Sequence, residues 1–429
     1  MAVNPRNPRN LISVYQEDRY PNDGANGVLA SVSHNGGRSW TVPPLARQPK
    51  FSRCAGGNAA NGGGFEKTTD PWVDFSSTGV AYFVAVSYND SNLATAELVS
   101  TSVNGGRSWG RQHSLIRENK PGVIDDRPAV TTDPAHPRIA YVVWARQVNA
   151  PASAARGAVY FSRTTDSGAT WSKARAIYQS PLGMQTSANQ IVVLPDGDLV
   201  DVFNELGLGT GFDHPRHDRI TVIRSADQGR TWSGPTTLAR NFVTGVTDPH
   251  TGEPVRDGDD FTDIAVDPRP GTSNVYAVWG DARFTHGGPQ QIAFARSTDG
   301  GRTWSKPSRV SANTRTQAFV PAVAVDGNGD LAVNYYDFTA DRPTSRFLAT
   351  QNWITTSANQ GRTWSARQQV TSHPFDLRTA PFDDGFFLGE YQGLAGAGQR
   401  FIVSATFTNG HSLDNRTDIY SAAFAVGLH

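Results

Sequence analysis

Ser297-Thr298-Asp299-Gly300-Gly301-Arg302-Thr303-Trp304 is the stretch on which the reading of this chain turns, because its pattern returns five more times. The other copies occupy residues 33–40, 102–109, 164–171, 225–232 and 357–364. Each begins with Ser or Thr, has Asp or Asn third and Gly fifth, and ends in Ser or Thr followed by Trp. Successive tryptophans stand 69, 62, 61, 72 and 60 residues apart. The octet suits a tight hairpin turn. The Asx side chain accepts backbone N–H groups, glycine supplies a positive φ, and the hydroxyls tie the turn again. The tryptophan then brings a large apolar face to the sheet beneath. A unit repeated at this interval is the signature of an array of small sheets.

The sequence outside the octets repeats as well. An apolar run ends in Asp-Pro or Asp-Gly at Asp133-Pro134, Asp267-Pro268 and Asp326-Gly327. A second apolar run follows, as at 139–144 and 275–279, then a third that leads into the octet. Four strands in about 60 residues fit a propeller blade. The predicted fold is therefore all-β, a single β-propeller domain over 1–429 with seven four-stranded blades and six as the alternative. The blades are placed at 1–47, 65–116, 123–179, 185–240, 257–312, 317–371 and 380–429. The last carries no octet, and the first has almost no inner strand.

Composition excludes some functions. Lys plus Arg and Asp plus Glu balance at 39 each, so no net field favours nucleic acid or an anionic membrane. No apolar run is long enough to span a bilayer. The single cysteine, Cys54, rules out an intrachain disulfide and leaves the compartment open. No signal peptide is visible, and the expectation is a mature secreted chain with an added start codon. A monomer is expected.

The octets resemble the Asp-box, or BNR, repeats of the sialidase superfamily, and the resemblance extends over nearly the whole chain. It implies a propeller, usually extracellular, that acts on or binds glycans. True sialidases begin their carboxylate-binding arginine set with an Arg-Ile-Pro motif, which this sequence lacks. Arg6, Arg9 and Arg19 stand in that region in a different context. Gly389-Glu390-Tyr391 resembles the late tyrosine of sialidases by position along the chain.

Candidate site residues come from the loops expected opposite the octets, at the mouth of a propeller channel. Aligning the inner strands on Asp133 and Asp267 puts Asp126 and Asp260 in one register, while Gly396 and Gly327 align Tyr391 with Asp263. Asp126, Asp260, Glu390 and Tyr391 are the predicted catalytic residues. Paired carboxylates supply acid and base, and a tyrosine beside a glutamate suits an activated nucleophile. Arg19, Arg127, Glu205, Asp263, Trp279, Asp281, Arg283 and Tyr336 are the predicted substrate contacts. Trp279 and Tyr336 would stack on sugar rings and Arg283 would clamp an acidic group. The alternatives are strand caps, an ion pair of Arg127 with Asp125 or Asp126, and ordinary aromatic packing. His214 and His217 form the densest histidine cluster, read as a solvated loop rather than a metal site. Asp257-Gly258-Asp259-Asp260 is a candidate for calcium, with no cofactor required. The function read from these residues is a secreted, sialidase-like glycoside hydrolase acting on an oligo- or polysaccharide. The alternatives are a non-catalytic propeller that binds a glycan or protein, and a polysaccharide lyase.

Overall fold

The computed structural model describes residues 1–21, 23–148, 154–207, 218–410, 412 and 414–426. The chain is all-β. Among the described residues there are thirty strands and three single 3-10 turns, and no helix is long and apolar enough to cross a membrane. Two compact units divide it, Met1–Thr237 and Leu238–His429.

The first unit opens with a seven-stranded sheet in which two repeats join through one pair, Ala25 with Thr68. Its second repeat runs Lys67–Phe75, Ala81–Tyr88, Thr95–Ser102 and His113–Glu118, each strand antiparallel to the next. A four-stranded sheet follows, Val123–Thr132, Ala140–Val148, Ala158–Thr164 and Arg175–Gln179. The next is Met184–Val193, Leu199–Gly207, Arg219–Ser225 and Thr236–Arg240, its last strand holding the division between units. The second unit repeats the plan at Thr262–Val266, Val275–Asp281, Gln291–Ser297 and Ser308–Arg309. It repeats again at Ala318–Val325, Leu331–Asp337, Ala349–Ser357 and Gln368–Gln369. The last sheet has three strands, Gly393–Gly396, Arg400–Thr408 and Thr417–Ala425.

Middle strands such as Ala81–Tyr88 and Ala140–Val148 read as nearly continuous apolar runs because both of their faces are covered. Phe83, Tyr82, Trp144, Tyr141 and Phe161 are almost wholly buried in the first unit, as are Tyr276, Phe294, Tyr335 and Tyr336 in the second. Each such side chain contributes about 1.5–3 kcal/mol through burial.

The octets fold as their composition predicts. The first hydroxyl of each accepts the N–H of the fifth residue, at 2.8 Å from Ser297 to Gly301 and 2.9 Å from Thr164 to Gly168. The Asx oxygen accepts the N–H of the seventh residue, Asp227 from Thr231 at 2.9 Å and Asn35 from Ser39 at 3.0 Å. The tryptophans then pack edge-on against buried rings, Trp232 on Phe161 at 5.7 Å and Trp364 on Phe294 at 5.3 Å. Glycine is obligatory at 361 on two counts. Its φ is +75°, and a Cβ there would lie 2.3 Å from the Phe294 ring.

A second recurring device shapes the opposite end of four of the repeats. Four first strands carry a bulge, between Thr69 and Trp72, Asp126 and Ala129, Ser187 and Gln190, and Phe319 and Ala322. The residue inside each is left-handed, Asp70 (φ 52°), Arg127 (φ 53°), Ala188 (φ 55°) and Val320 (φ 47°). Such a kink re-aims the incoming segment and the side chains on it. One part of the sequence reading changes here. Glu205, Trp279, Asp281 and Tyr336 were expected in loops, yet all four lie within second strands, where ladder pairing fixes their direction.

Candidate functional site

Turn geometry gives an internal ruler for the first strands. Ser76, Asp133, Leu194, Asp267, Asp326 and Ala397 each donate the backbone N–H that closes the turn after that strand. Seven residues before them stand Thr69, Asp126, Ser187, Asp260, Phe319 and Glu390. Asp126, Asp260 and Glu390 therefore share one repeat position. Tyr391 is level with Phe261 and Arg127, two residues off the alignment with Asp263 that the glycines suggested. The reason is that the last turn closes through Ala397 to Arg400, which puts Gly396 level with Val325 rather than Gly327 and moves the frame by two.

In the second unit the segments that carry Asp260 and Glu390–Tyr391 touch, through Gly258 and Phe261. A short sheet, Val246–Thr247 with Pro254–Arg256 and Phe386–Phe387, lays Arg256 parallel to Phe387. The Arg256 guanidinium then lies 4.6 Å from the centre of the Phe387 ring. It donates to Glu390 Oε1 at 2.7 Å and also to Asp383. The turn 257–260 presses against the Glu390 backbone. A Cβ on Gly258 (φ +65°) would sit 2.6 Å from the Glu390 carbonyl oxygen. Tyr391 stacks on Phe261 with ring centres 5.0 Å apart and planes 21° from parallel. Asp257, buried below this turn, accepts the Gln290 amide at 2.9 Å and the Asp259 N–H at 3.2 Å. Burial, with the charge of Asp259 added, pushes the Asp257 carboxyl well above the usual range and favours its protonated form. A carboxyl whose protonated form is favoured, on a turn that touches the segment of an arginine-held one, is suited to acid–base work.

In the first unit Asp126 is half-buried near the start of the strand Val123–Thr132, just before the bulge. Its neighbour Asp125 accepts the Trp144 indole N–H at 2.8 Å and two N–H groups of Arg146, at 2.9 and 2.6 Å. Arg127, inside the bulge, donates to Ser187 Oγ. Glu97, on the third strand Thr95–Ser102, is fully buried, and neither of its carboxyl oxygens has a hydrogen-bond partner among the described residues. Burial first, then the charges of Asp125, Asp126 and Asp70, push its carboxyl far up, with Arg146 opposing.

The predicted substrate contacts are mostly occupied by the fold. Glu205 accepts Tyr178 Oη at 2.7 Å, Thr221 Oγ1 at 2.6 Å and Arg219 Nε at 2.5 Å. Asp281 accepts the Trp279 indole at 2.8 Å and Arg283 at 2.8 and 2.7 Å. Trp279 is 0% exposed, so it offers no face to a sugar ring. Tyr336 is equally covered and donates to the Thr406 carbonyl at 2.9 Å. Asp263 ties two strands by accepting the Val323 N–H at 2.7 Å. Arg19 ends the strand Leu11–Arg19, half-buried, in the first unit. His214 and His217 lie outside the described residues.

Sequence reasoning missed Glu97, Arg256 and the acid character of Asp257. Glu97 had a visible signal, a lone acid inside the otherwise apolar and hydroxylated run 94–102. Arg256 had none, because its partners Asp383 and Glu390 lie 127 and 134 residues away.

Comparison with known proteins bears on the repeat. Residues 76–242 match the model of the BNR repeat-like domain, and 295–306 match that of the BNR/Asp-box repeat. A sialidase of Micromonospora viridifaciens is 27% identical over 241 residues, covering 52% of this chain and 35% of that protein. The match thus spans about a third of the relative's length. Among solved structures, an α-L-arabinofuranosidase of Fusarium graminearum superposes with a TM-score of 0.49 at 14% identity, covering 76% of this chain and 84% of that one. A leech intramolecular trans-sialidase gives 0.49 at 13%, covering 84% and 68%. An α-L-arabinanase of Penicillium chrysogenum gives 0.48 at 12%, covering 83% and 93%. With six Asp-box turns folded to one hydrogen-bond pattern and two repeat models matched, the chain carries BNR/Asp-box repeats and is similar to the sialidase superfamily.

Proposed function

We propose that this chain is a secreted glycoside hydrolase whose chemistry sits at the 256–263 and 383–391 segments of the second unit. The observation that carries the reading is the apposition of Glu390 and Tyr391, held by Arg256 and Phe261, against the carboxyl-rich turn 257–260. Asp257 or Asp260 would give a proton to the leaving glycosidic oxygen. Glu390 would act as base, taking a proton from water or from the Tyr391 phenol as either attacks the anomeric carbon. Asp126 occupies the same repeat position in the first unit and is proposed to support the reaction there. The arginines of the second unit favour a neutral glycan over a sialate. Arg256, Arg283, Arg367 and Arg378 each already pair with a carboxylate, at 2.5–2.7 Å.

The repeats are proposed to close as one seven-bladed propeller, acting as a monomer. Solution scattering tests this. A single compact body of this length has a radius of gyration of about 22 Å, and separate bodies would exceed it clearly.

A panel of neutral and sialylated glycans, assayed for new reducing ends, tests the activity. The expected result is cleavage of a neutral glycan that falls at least about 100-fold in Glu390→Gln and in Tyr391→Phe. Full activity in both variants would end the assignment. An unsaturated, ultraviolet-absorbing product would replace it with a lyase.

A further inference from the structure

In the second unit, two of the third strands are covered at one register by a fourth. Ala293 and Phe294 pair with Arg309 and Ser308, and Trp353 and Ile354 pair with Gln369 and Gln368. The equivalent residues of the last sheet follow from the pairs Leu331 with Ser357 and Phe401 with Phe424. Three residues before Ser357 and Phe424 stand Ile354 and Ser421, which makes Tyr420 the counterpart of Trp353. Among the described residues no strand covers Tyr420 and Ser421. Tyr420 is 51% exposed where Trp353 is 8%.

A cavity of about 330 Å³ opens at this place, between the last sheet and the segment that leaves the strand Gln368–Gln369. Its walls combine apolar and hydroxyl surface. Phe375 and Phe407 lie 5.3 Å apart, and Tyr420 lies 5.3 Å from Phe407. Thr371 Oγ1 and Ser421 Oγ also belong to lining residues, and both are buried without a hydrogen-bond partner among the described residues. A buried hydroxyl with no partner costs about 1–3 kcal/mol, so a ligand that bonds it recovers that loss. The lining has no Asp, Glu, Lys or Arg, and His373 is its one imidazole.

We propose that this cavity is an accessory binding site for a neutral saccharide, with Tyr420 as the stacking platform and the Thr371 and Ser421 hydroxyls bonding the sugar's own hydroxyls. The chemistry selects this ligand class. A sugar ring presents an apolar C–H face to an aromatic ring and hydroxyls around its edge, which matches a wall of rings edged by hydroxyls. An added peptide strand would instead bond the backbone edge of Thr417–Ala425 and leave both side-chain hydroxyls unmet. None of the residues proposed for catalysis lines the cavity, so binding here is independent of turnover.

The test places 3-fluorotyrosine at position 420 of the full chain and follows its fluorine resonance. The titrants are glucose, galactose, arabinose, cellobiose and lactose, with N-acetylneuraminic acid as the anionic control. The expected result is a saturable shift with at least one neutral sugar, unchanged in a Glu390→Gln background. Apparent affinity should fall at least about fivefold in Thr371→Val and in Ser421→Val, with circular dichroism reporting that each is folded. If one variant fails to fold, the other decides. No saturable shift with any neutral sugar, or an unchanged affinity in the folded variants, would overturn the proposal. So would a shift produced only by a peptide of the 417–425 sequence. Loss of catalysis in Glu390→Gln with the shift intact separates this site from the catalytic one.

Discussion

Glu97 and Asn352 hold one structural position, five residues before the octet serine that ends each third strand, and the two units use it in opposite ways. Asn352 belongs to a bonded relay. It accepts the Asn334 amide at 2.5 Å and donates to Gln392 at 3.2 Å, and Gln392 donates to the Val320 carbonyl at 2.7 Å. That relay fixes the strand end that presents Glu390 and Tyr391. Glu97 has no such partner and is buried next to the charges of Asp70, Asp125 and Asp126. A neutral amide thus anchors the catalytic candidates of the second unit, while in the first the same strand position holds a buried acid whose protonated form is favoured. The difference teaches that a repeat can keep its backbone frame and still place rigidity at one site and titratable strain at another.

The largest expected effect separates the two ends directly. Glu390→Gln should lower kcat by about 10²–10⁴, whereas Asp126→Asn should lower it less, by about tenfold, in steady-state assays on the same glycan. Equal losses would erase the asymmetry. Next in size is the relay itself. Asn352→Ala leaves Gln392 and Asn334 short of a partner and should cost about 1–3 kcal/mol in urea denaturation.

The third effect has a sign set by pH. The Glu97 carboxyl is raised in the fold above its unfolded value of about 4.3, so the stability tied to its proton is complete below that value. That stability is lost as pH rises through the folded value. Glu97→Gln should therefore gain stability over the wild type at pH 8, by about 1 kcal/mol, and gain less at pH 5. Asp201, buried with both oxygens unpartnered and also raised by burial, should behave the same way as Asp201→Asn. A gain that does not change with pH would contradict the proton assignment.

The octets supply a smaller, opposite effect. Thr170 and Thr231 hydrogen bonds lower Asp166 and Asp227 to about 2. Their stabilising effect is present above the unfolded value of about 3.9 and lost as pH falls toward 2. The double variant Asp166→Asn, Asp227→Asn should flatten that acid limb in a thermal melt series. Asn35, Asn104 and Asn359 already hold this position without a titrating group. Smallest of all, chelation of divalent cations should leave activity unchanged, because Asp257 is bonded to Gln290 and the Asp259 N–H.

The octets were legible because each is a local turn whose chemistry is complete within eight residues, and the all-β plan followed from their spacing. The register of Asp126 with Asp260 was legible too, since Asp133 and Asp267 mark the same turn. The last sheet was harder. Gly396 looks like the counterpart of Gly327, but the closing bond comes from Ala397, and no local signal announces that shift. The arginine clamps were illegible for a different reason. Asp281 and Arg283 sit two residues apart, yet only burial reveals that Trp279 and Arg283 serve Asp281 rather than a ligand. Burial is a property of neighbours distant in sequence, and a strand-end aromatic reads alike whether packed or open.

A crystal structure of Glu390→Gln with the best neutral substrate bound tests the central claim most directly. The glycosidic oxygen should lie within hydrogen-bond distance of the Asp257 or Asp260 carboxyl, with the anomeric carbon facing Tyr391 and position 390. A glycan bound in the crystal with no atom near residues 256–263 and 383–391 would contradict the assignment.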